Sequence, residues 1–85
     1  MQRDLLLAQI KERLRGAYGD RLRDIVLFGS AARGDLSEDS DVDLLVLLQG
    51  PVQFGRDLQT NINALYPLVL ETGHPISAKP VDEKR

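Results

Sequence analysis

The sequence predicts a small α/β domain with a three-stranded mixed sheet, and two observations carry that prediction. Residues 4–17 and 53–71 each repeat apolar residues at helical spacing, as amphipathic helices do. Residues 24–28, 41–48 and 76–81 are short apolar segments with the length and composition of strands. The predicted order is helix, strand, short helical turn, strand, helix, strand, in which the two main helices cover one or both faces of the sheet.

The two predicted helices have apolar faces at regular positions. In the first helix this face consists of Leu6, Leu7, Ile10, Leu14 and Ala17. Asp4 is the expected N-cap, and Gly16 and Gly19 are expected to end the helix. In the second helix the apolar face consists of Leu58, Ile62, Leu65 and Val69. Pro67 removes a backbone hydrogen bond there, so a kink or an early end at Tyr66 is expected.

The three predicted strands differ in how they are covered. Residues 24–28 are apolar on both faces, which predicts an inner strand covered on both sides and bounded by Gly29. Residues 30–40 are expected to form the short helical turn and then a loop. Within residues 41–48 one face is entirely apolar, and the other changes from acidic to apolar along the strand. Pro80 restricts the third strand to a sheet edge or an exit.

The composition indicates one domain over residues 1–85, near the lower size limit for independent folding. A net charge of −2 and a pI of about 5.2 argue against a sequence-independent nucleic-acid binder. Without cysteine, the chain has no disulfide and no thiolate metal site. The apolar runs are too short to span a membrane, and the first residues lack the pattern of a signal peptide. A cytoplasmic location is therefore expected.

Two acidic residues at the start of the second predicted strand indicate a metal site. Asp41 and Asp43 are two positions apart on a strand, so their side chains leave the same face. Two carboxylates on one face repel each other unless a cation lies between them. Carboxylate oxygens in a partly open site suit Mg²⁺, which completes its coordination with water and substrate phosphates. The alternative reading is a polar strand start that continues an acidic loop.

A glycine and a serine directly follow the first predicted strand. At Gly29 the backbone can approach a phosphate closely, and Ser30 adds a hydroxyl at a strand-to-helix turn. A helix N-cap after a tight turn is the alternative reading of the same two residues.

Taken together, the two motifs form a more specific pattern than either does alone. Gly29-Ser30, ten intervening residues and then Asp41-x-Asp43 resemble the signature of the minimal nucleotidyltransferase domains of the DNA polymerase beta superfamily. The segment 32–35 and Ser40 also resemble that family, and the resemblance covers nearly the whole chain. It implies a small nucleotidyltransferase fold.

The resemblance also implies roles for individual residues. Gly29 and Ser30 would hold the triphosphate of an NTP, ATP being the expected substrate. Asp41 and Asp43 would hold one or two Mg²⁺ ions and direct attack on the α-phosphate, with pyrophosphate as the leaving group. Arg33 would either contact the γ-phosphate or pair with an acid at the surface, and both readings stay open.

The chain departs from the family pattern on the third strand. Catalytic members usually carry a third carboxylate there, whereas Ser77 or Lys79 occupies the matching place in this sequence. An acid of the loop, at Asp35, Glu38 or Asp39, is one source of a third carboxylate, and a solvated acidic loop without a role in the site is the alternative reading. The departure leaves it open whether the chain turns over substrate.

Two hypotheses follow for the function. The first is a Mg²⁺-dependent enzyme that transfers AMP from ATP to a hydroxyl of a protein partner or a small acceptor. The resemblance implies that this partner is a helical HEPN-type toxin, for which the chain would act as antitoxin. The second is a binding module of the same fold that neutralises its partner by contact. Assembly into a homo-oligomer is left open by both.

Overall fold

A computed structural model describes residues 3–29 and 41–84. Over these residues the order of helices and strands agrees with the prediction, and a short 3-10 turn at Gly19–Arg21 follows the first helix. The elements are α1 (Arg3–Tyr18), β1 (Leu22–Phe28), β2 (Val42–Leu48), α2 (Phe54–Thr72) and β3 (Ile76–Asp82). The helical turn predicted after Gly29-Ser30 lies outside the described residues.

The three strands form one mixed sheet, as predicted, and their order in the sheet is β1-β2-β3. β1 runs antiparallel to β2, and β3 runs parallel to β2. The prediction that residues 24–28 form an inner strand is wrong, because β1 lies at an edge of the sheet. Its outward side chains Val26 and Phe28 are 41% and 39% exposed. Apolar residues on both faces of a strand predict coverage on both sides, but both helices pack on the same face of this sheet.

The core lies between that face and the two helices. β2 alternates buried and half-buried residues along its whole length, which confirms the predicted apolar face of the central strand. The buried residues of the core are Leu6, Ile10, Leu14, Val42, Leu44, Val46, Leu48, Leu65, Leu68 and Ala78. The opposite face of the sheet, called the open face below, carries the side chains that alternate with those of the core on each strand.

α1 differs from its prediction at both ends. Asp4 lies within the first turn of the helix rather than at its N-cap, and α1 continues past Gly16 to Tyr18. Gly19, with φ of 59°, then starts the 3-10 turn. Of the predicted apolar face, Leu7 is half-buried and Ala17 is exposed.

α2 passes through Pro67 and ends only at Thr72, so of the two outcomes expected there, a kink or an early end at Tyr66, the early end is wrong. The proline removes one hydrogen bond, but Leu65 and Leu68 on either side of it are each 2% exposed. Burial of both flanking turns keeps the helix on the core despite that loss. The helix is closed by Gly73, whose N–H donates to the carbonyl oxygen of Val69 at 2.9 Å.

The buried face of α2 is also different from the predicted one. It consists of Asp57, Asn61, Leu65 and Leu68. Ile62, assigned to the core by its spacing, is 49% exposed. The cause is that Asp57 and Asn61, polar residues that a periodic pattern assigns to the solvent, have polar contacts inside the protein. These contacts draw Asp57 and Asn61 to the interior and rotate the helix accordingly.

A tyrosine at the end of α1 and an asparagine on α2 connect three elements. The Tyr18 hydroxyl lies 2.5 Å from Asn61 Oδ1 and 2.9 Å from the carbonyl oxygen of Asp57, the two acceptors for its proton. Asn61 Nδ2 in turn donates to the carbonyl oxygen of Ala78 on β3 at 2.8 Å. Since Asn61 is 1% exposed, losing one of these partners would leave a buried polar group unsatisfied.

Asp57 is the charged member of the same region. Its carboxylate accepts from both terminal nitrogens of Arg21 at 3.3 Å and from the backbone N–H of Gln53 at 3.1 Å. Arg21 also donates to the carbonyl oxygens of Gln49 and Pro51 at 3.2 Å each. The buried carboxylate is thus paired and hydrogen-bonded, as a buried charge has to be, and it holds the 3-10 turn against the start of α2.

The Tyr18 phenol makes the stability of the fold dependent on alkaline pH. Burial, and next the charge of Asp57, raise the pKa of Tyr18 from 10.0 to about 12. The unfolded chain therefore loses this proton first, so the stabilisation is complete below pH 10 and disappears as the pH rises towards 12. We expect the difference in unfolding free energy between wild type and Tyr18→Phe to shrink by on the order of 1 kcal/mol over that range, a value reduced for solvent screening of a half-buried group. Urea unfolding at both pH values measures it, and parallel pH profiles of the two proteins would contradict it.

Candidate active site

The two predicted carboxylates lie at the end of β2 that meets the end of β1. Asp43 pairs with Phe28 in the antiparallel register of these strands, and Asp41 directly precedes β2. Val42 between them is 2% exposed and belongs to the core. Because side chains alternate along a strand, Asp41 and Asp43 project towards the open face. Asp41 is exposed and Asp43 is half-buried.

Gly29 lies beside Asp43, one member of this carboxylate pair. Its φ of 78° lies in the left-handed region, which favours glycine. A Cβ atom at this position would lie 2.9 Å from Asp43 Oδ2, closer than a real side chain allows. The structure therefore places Gly29 of the first motif beside Asp43 of the second, and the missing side chain leaves room beside the carboxylate.

Other predicted site residues lie outside the described part of the chain. These are Ser30 and Arg33, together with the loop acids Asp35, Glu38 and Asp39. Their assigned roles stay predictions.

β3 brings a hydroxyl, not an acid, to the other side of Asp43. Ser77 is the direct register partner of Asp43, while Lys79 pairs with Leu45 one step further along the strand. Ser77 is exposed. Asp82 pairs with Leu48 at the far end of β2. The parallel register thus selects Ser77 from the two residues that sequence reasoning considered for the place of the third carboxylate.

The residues present fit a single Mg²⁺ held through few protein ligands. Asp41 and Asp43 take part in none of the ion pairs that form within the described ranges, so their charges are available to a cation. The space that a Cβ at Gly29 would fill adjoins Asp43 Oδ2, which leaves an approach for water or phosphate oxygens. Residues 3–29 and 41–84 contain no group of three or more histidine, cysteine or acidic side chains suited to a metal. Further ligands would be the waters and substrate oxygens that Mg²⁺ commonly retains.

Several features of this site could not be read from the sequence. The contact between Gly29 and Asp43 depends on the register of β1 and β2, and the position of Ser77 depends on the register of β2 and β3. The exposed apolar side chains Val26 and Phe28, which share the open face with Asp43, were assigned to an inner strand. The sequence carries no signal that β1 lies at an edge of the sheet.

Comparison with known proteins agrees with this geometry. The family model described as a nucleotidyltransferase domain matches residues 7–84. The match spans well over half of the chain, which therefore belongs to the nucleotidyltransferase domain family. The fold class predicted from the sequence and the described sheet and helices are those of a small member of this family.

Three curated relatives from Methanocaldococcus jannaschii share the name "Putative protein adenylyltransferase". The first is 33% identical over 70 residues, which are 82% of this chain and 70% of the relative. The second is 41% identical over 44 residues, 52% of this chain and 44% of the relative. The third is 48% identical over 42 residues, 49% of this chain and 29% of the relative. This chain thus spans less than half the length of the second and third relatives.

The comparison with solved structures gave no significant match. Neither α1 nor α2, the helices of the described residues, combines the length and apolar character needed to cross a membrane.

Proposed function

We propose that this protein is a Mg²⁺-dependent nucleotidyltransferase that moves AMP from ATP to a hydroxyl group of a protein partner or a small acceptor. The observation that carries the proposal is the contact between Gly29 and Asp43 at the open face. A site that binds and activates a metal-bound triphosphate requires two features. These are a backbone that the phosphates can approach closely and a pair of carboxylates. The names of the relatives, protein adenylyltransferases, support adenylyl transfer as the form of the reaction.

Each residue of the site has a defined task in this proposal. Asp41 and Asp43 hold Mg²⁺, which neutralises charge on the phosphates when bound. Gly29 keeps the volume beside Asp43 free, so that the triphosphate can approach the backbone. Ser30 contributes a hydroxyl to the outer phosphates, and Arg33 contacts the γ-phosphate. The acceptor oxygen bonds to the α-phosphorus as its hydroxyl proton passes to water, the bond between the α-phosphorus and the bridging oxygen breaks, and pyrophosphate leaves.

The proposal is tested by asking which phosphate of ATP is transferred. Purified protein is incubated with Mg²⁺ and a co-expressed HEPN-type helical protein, using ATP labelled at the α-phosphate or at the γ-phosphate. We expect label on the partner from α-labelled ATP only, and none when EDTA removes the metal. Transfer from γ-labelled ATP would identify a kinase-type reaction instead. Absence of transfer from either, with the partner still bound, would contradict the enzymatic function.

A second candidate is a contact inhibitor with the same fold, acting as antitoxin to a HEPN-type toxin. The exposed serine beside Asp43 favours it, because the place of the third carboxylate holds no acid. Apolar side chains on α2 are available for such contact: Ile62, Tyr66 and Leu70 are 49%, 56% and 67% exposed. The same assay separates the candidates, since a contact inhibitor binds the partner without modifying it.

A further inference from the structure

The three strands place three different groups in one row across the open face. Gly29 directly follows Phe28, the register partner of Asp43 on β1, and lies beside Asp43, while Ser77 on β3 is the register partner of Asp43 on its other side. Neighbouring strands lie about 4.8 Å apart. Along this row, the phosphate-binding backbone of the proposed function lies on one side of the carboxylate and an exposed serine lies on the other.

This row gives the reaction a direction. In nucleotidyl transfer the attacking and leaving oxygens lie on opposite sides of the phosphorus, roughly in line. If the outer phosphates are held at Gly29 and the α-phosphorus lies over Asp43, pyrophosphate leaves on the β1 side. The acceptor hydroxyl then enters over β3, where the short side chain of Ser77 leaves space for it.

The next residue of β3 on this approach is a lysine. Lys79 is two positions from Ser77, so both side chains project towards the open face with Cα atoms roughly 6.6 Å apart. Lys79 is exposed and belongs to none of the ion pairs in the described part of the chain. Its register partner Leu45 is apolar. Within residues 3–29 and 41–84, an ammonium group without a counter-charge therefore lies on the acceptor side of the carboxylate pair.

We propose that Lys79 is a specificity-determining residue that contacts the acceptor and selects a peptide segment with a carboxylate close to the hydroxyl that receives AMP. The proposal rests on the function proposed above. The opposite charges account for the preference: a basic segment would be repelled by Lys79, while an acidic segment gains an ion pair at one end and presents its hydroxyl over Ser77 at the other. The positive charge of Lys79 also offsets the repulsion between that acidic segment and the carboxylates of the site.

The test uses synthetic peptides as probes, each with one tyrosine or serine hydroxyl and flanked by aspartate, glutamine or lysine. Transfer of label from α-labelled ATP is measured for wild type, Lys79→Gln and Lys79→Glu. We expect wild type to prefer the aspartate-flanked peptide over the lysine-flanked one by about tenfold, Lys79→Gln to show little preference, and Lys79→Glu to reverse it. The effect is expected in KM for the peptide rather than in kcat, because Lys79 binds the acceptor and touches no reacting atom.

The matched control is Lys11→Glu, the same charge change at an exposed position of α1, in the helical layer on the other side of the sheet. It should keep the wild-type peptide preference. Affinity for a fluorescent ATP analogue and pyrophosphate release with the co-expressed protein partner as acceptor are measured for all variants. An unchanged preference in Lys79→Glu, or a loss of nucleotide affinity in that variant, overturns the role of Lys79 while pyrophosphate release by wild type sustains the enzyme. Absence of pyrophosphate release in wild type defeats the proposed function itself.

Discussion

Replacing Asp41 and Asp43 together by asparagine is expected to lower the rate of AMP transfer roughly 10³-fold, with little change in stability. Asparagine keeps the shape of each side chain but removes the charge that holds Mg²⁺, and metal stabilisation of the transition state amounts to several kcal/mol. Asp41 is exposed and Asp43 half-buried, so loss of their charges costs the fold little. Pyrophosphate release measures the rate, and calorimetric titration with Mn²⁺ measures the metal affinity.

The control for this double variant is Asp24→Asn. Asp24 lies on β1 and pairs with Leu47, at the end of the open face that is far from Asp43. Its carboxylate accepts a hydrogen bond from the N–H of Ile25 at 2.8 Å. Asparagine can still accept that bond, so both metal affinity and transfer should stay at wild-type values. Equal metal affinity in wild type and the double variant would remove Asp41 and Asp43 from the metal site.

Replacing Gly29 by alanine is expected to lower transfer roughly 10²-fold, because a displacement of about 1 Å at a reacting centre has an effect of that size. The new Cβ would meet Asp43 Oδ2 at 2.9 Å, so the carboxylate or the strand end has to move. The left-handed backbone at this position, with φ of 78°, adds a destabilisation of about 1–2 kcal/mol that any non-glycine residue would cause.

Gly73→Ala separates these two consequences. Gly73 has nearly the same φ, 76°, and a Cβ there would meet no atom within 4 Å. The two variants should therefore lose similar amounts of unfolding free energy, measured by urea titration, while only Gly29→Ala loses transfer. Parallel losses of activity in both variants would mean that destabilisation alone is responsible and that the contact with Asp43 is not needed.

Local periodicity predicted the elements well where it was not in competition with other interactions. The alternation of β2 placed Val42, Leu44, Val46 and Leu48 in the core, and all are at most 2% exposed. On α2 the same kind of reasoning chose the wrong face. Asp57 and Asn61 are buried because Arg21, Tyr18 and the carbonyl of Ala78 supply their partners. These partners lie 36, 43 and 17 residues away in the sequence, beyond what a periodic pattern can report.

In the candidate site, too, some features follow from the sequence and others only from the tertiary structure. The spacing of Gly29-Ser30 and Asp41-x-Asp43 is a property of the sequence alone. Its resemblance to the minimal nucleotidyltransferase domains predicted the family to which the chain belongs, while the helix and strand periodicities predicted the fold class. The family resemblance also limited the residue beside the carboxylate pair to Ser77 or Lys79. Only the tertiary structure decided that Ser77 pairs with Asp43, that Gly29 touches the carboxylate and that β1 is an edge strand. The physical reason is that side-chain periodicity is a property within one element, whereas register and coverage depend on contacts between elements far apart in the chain.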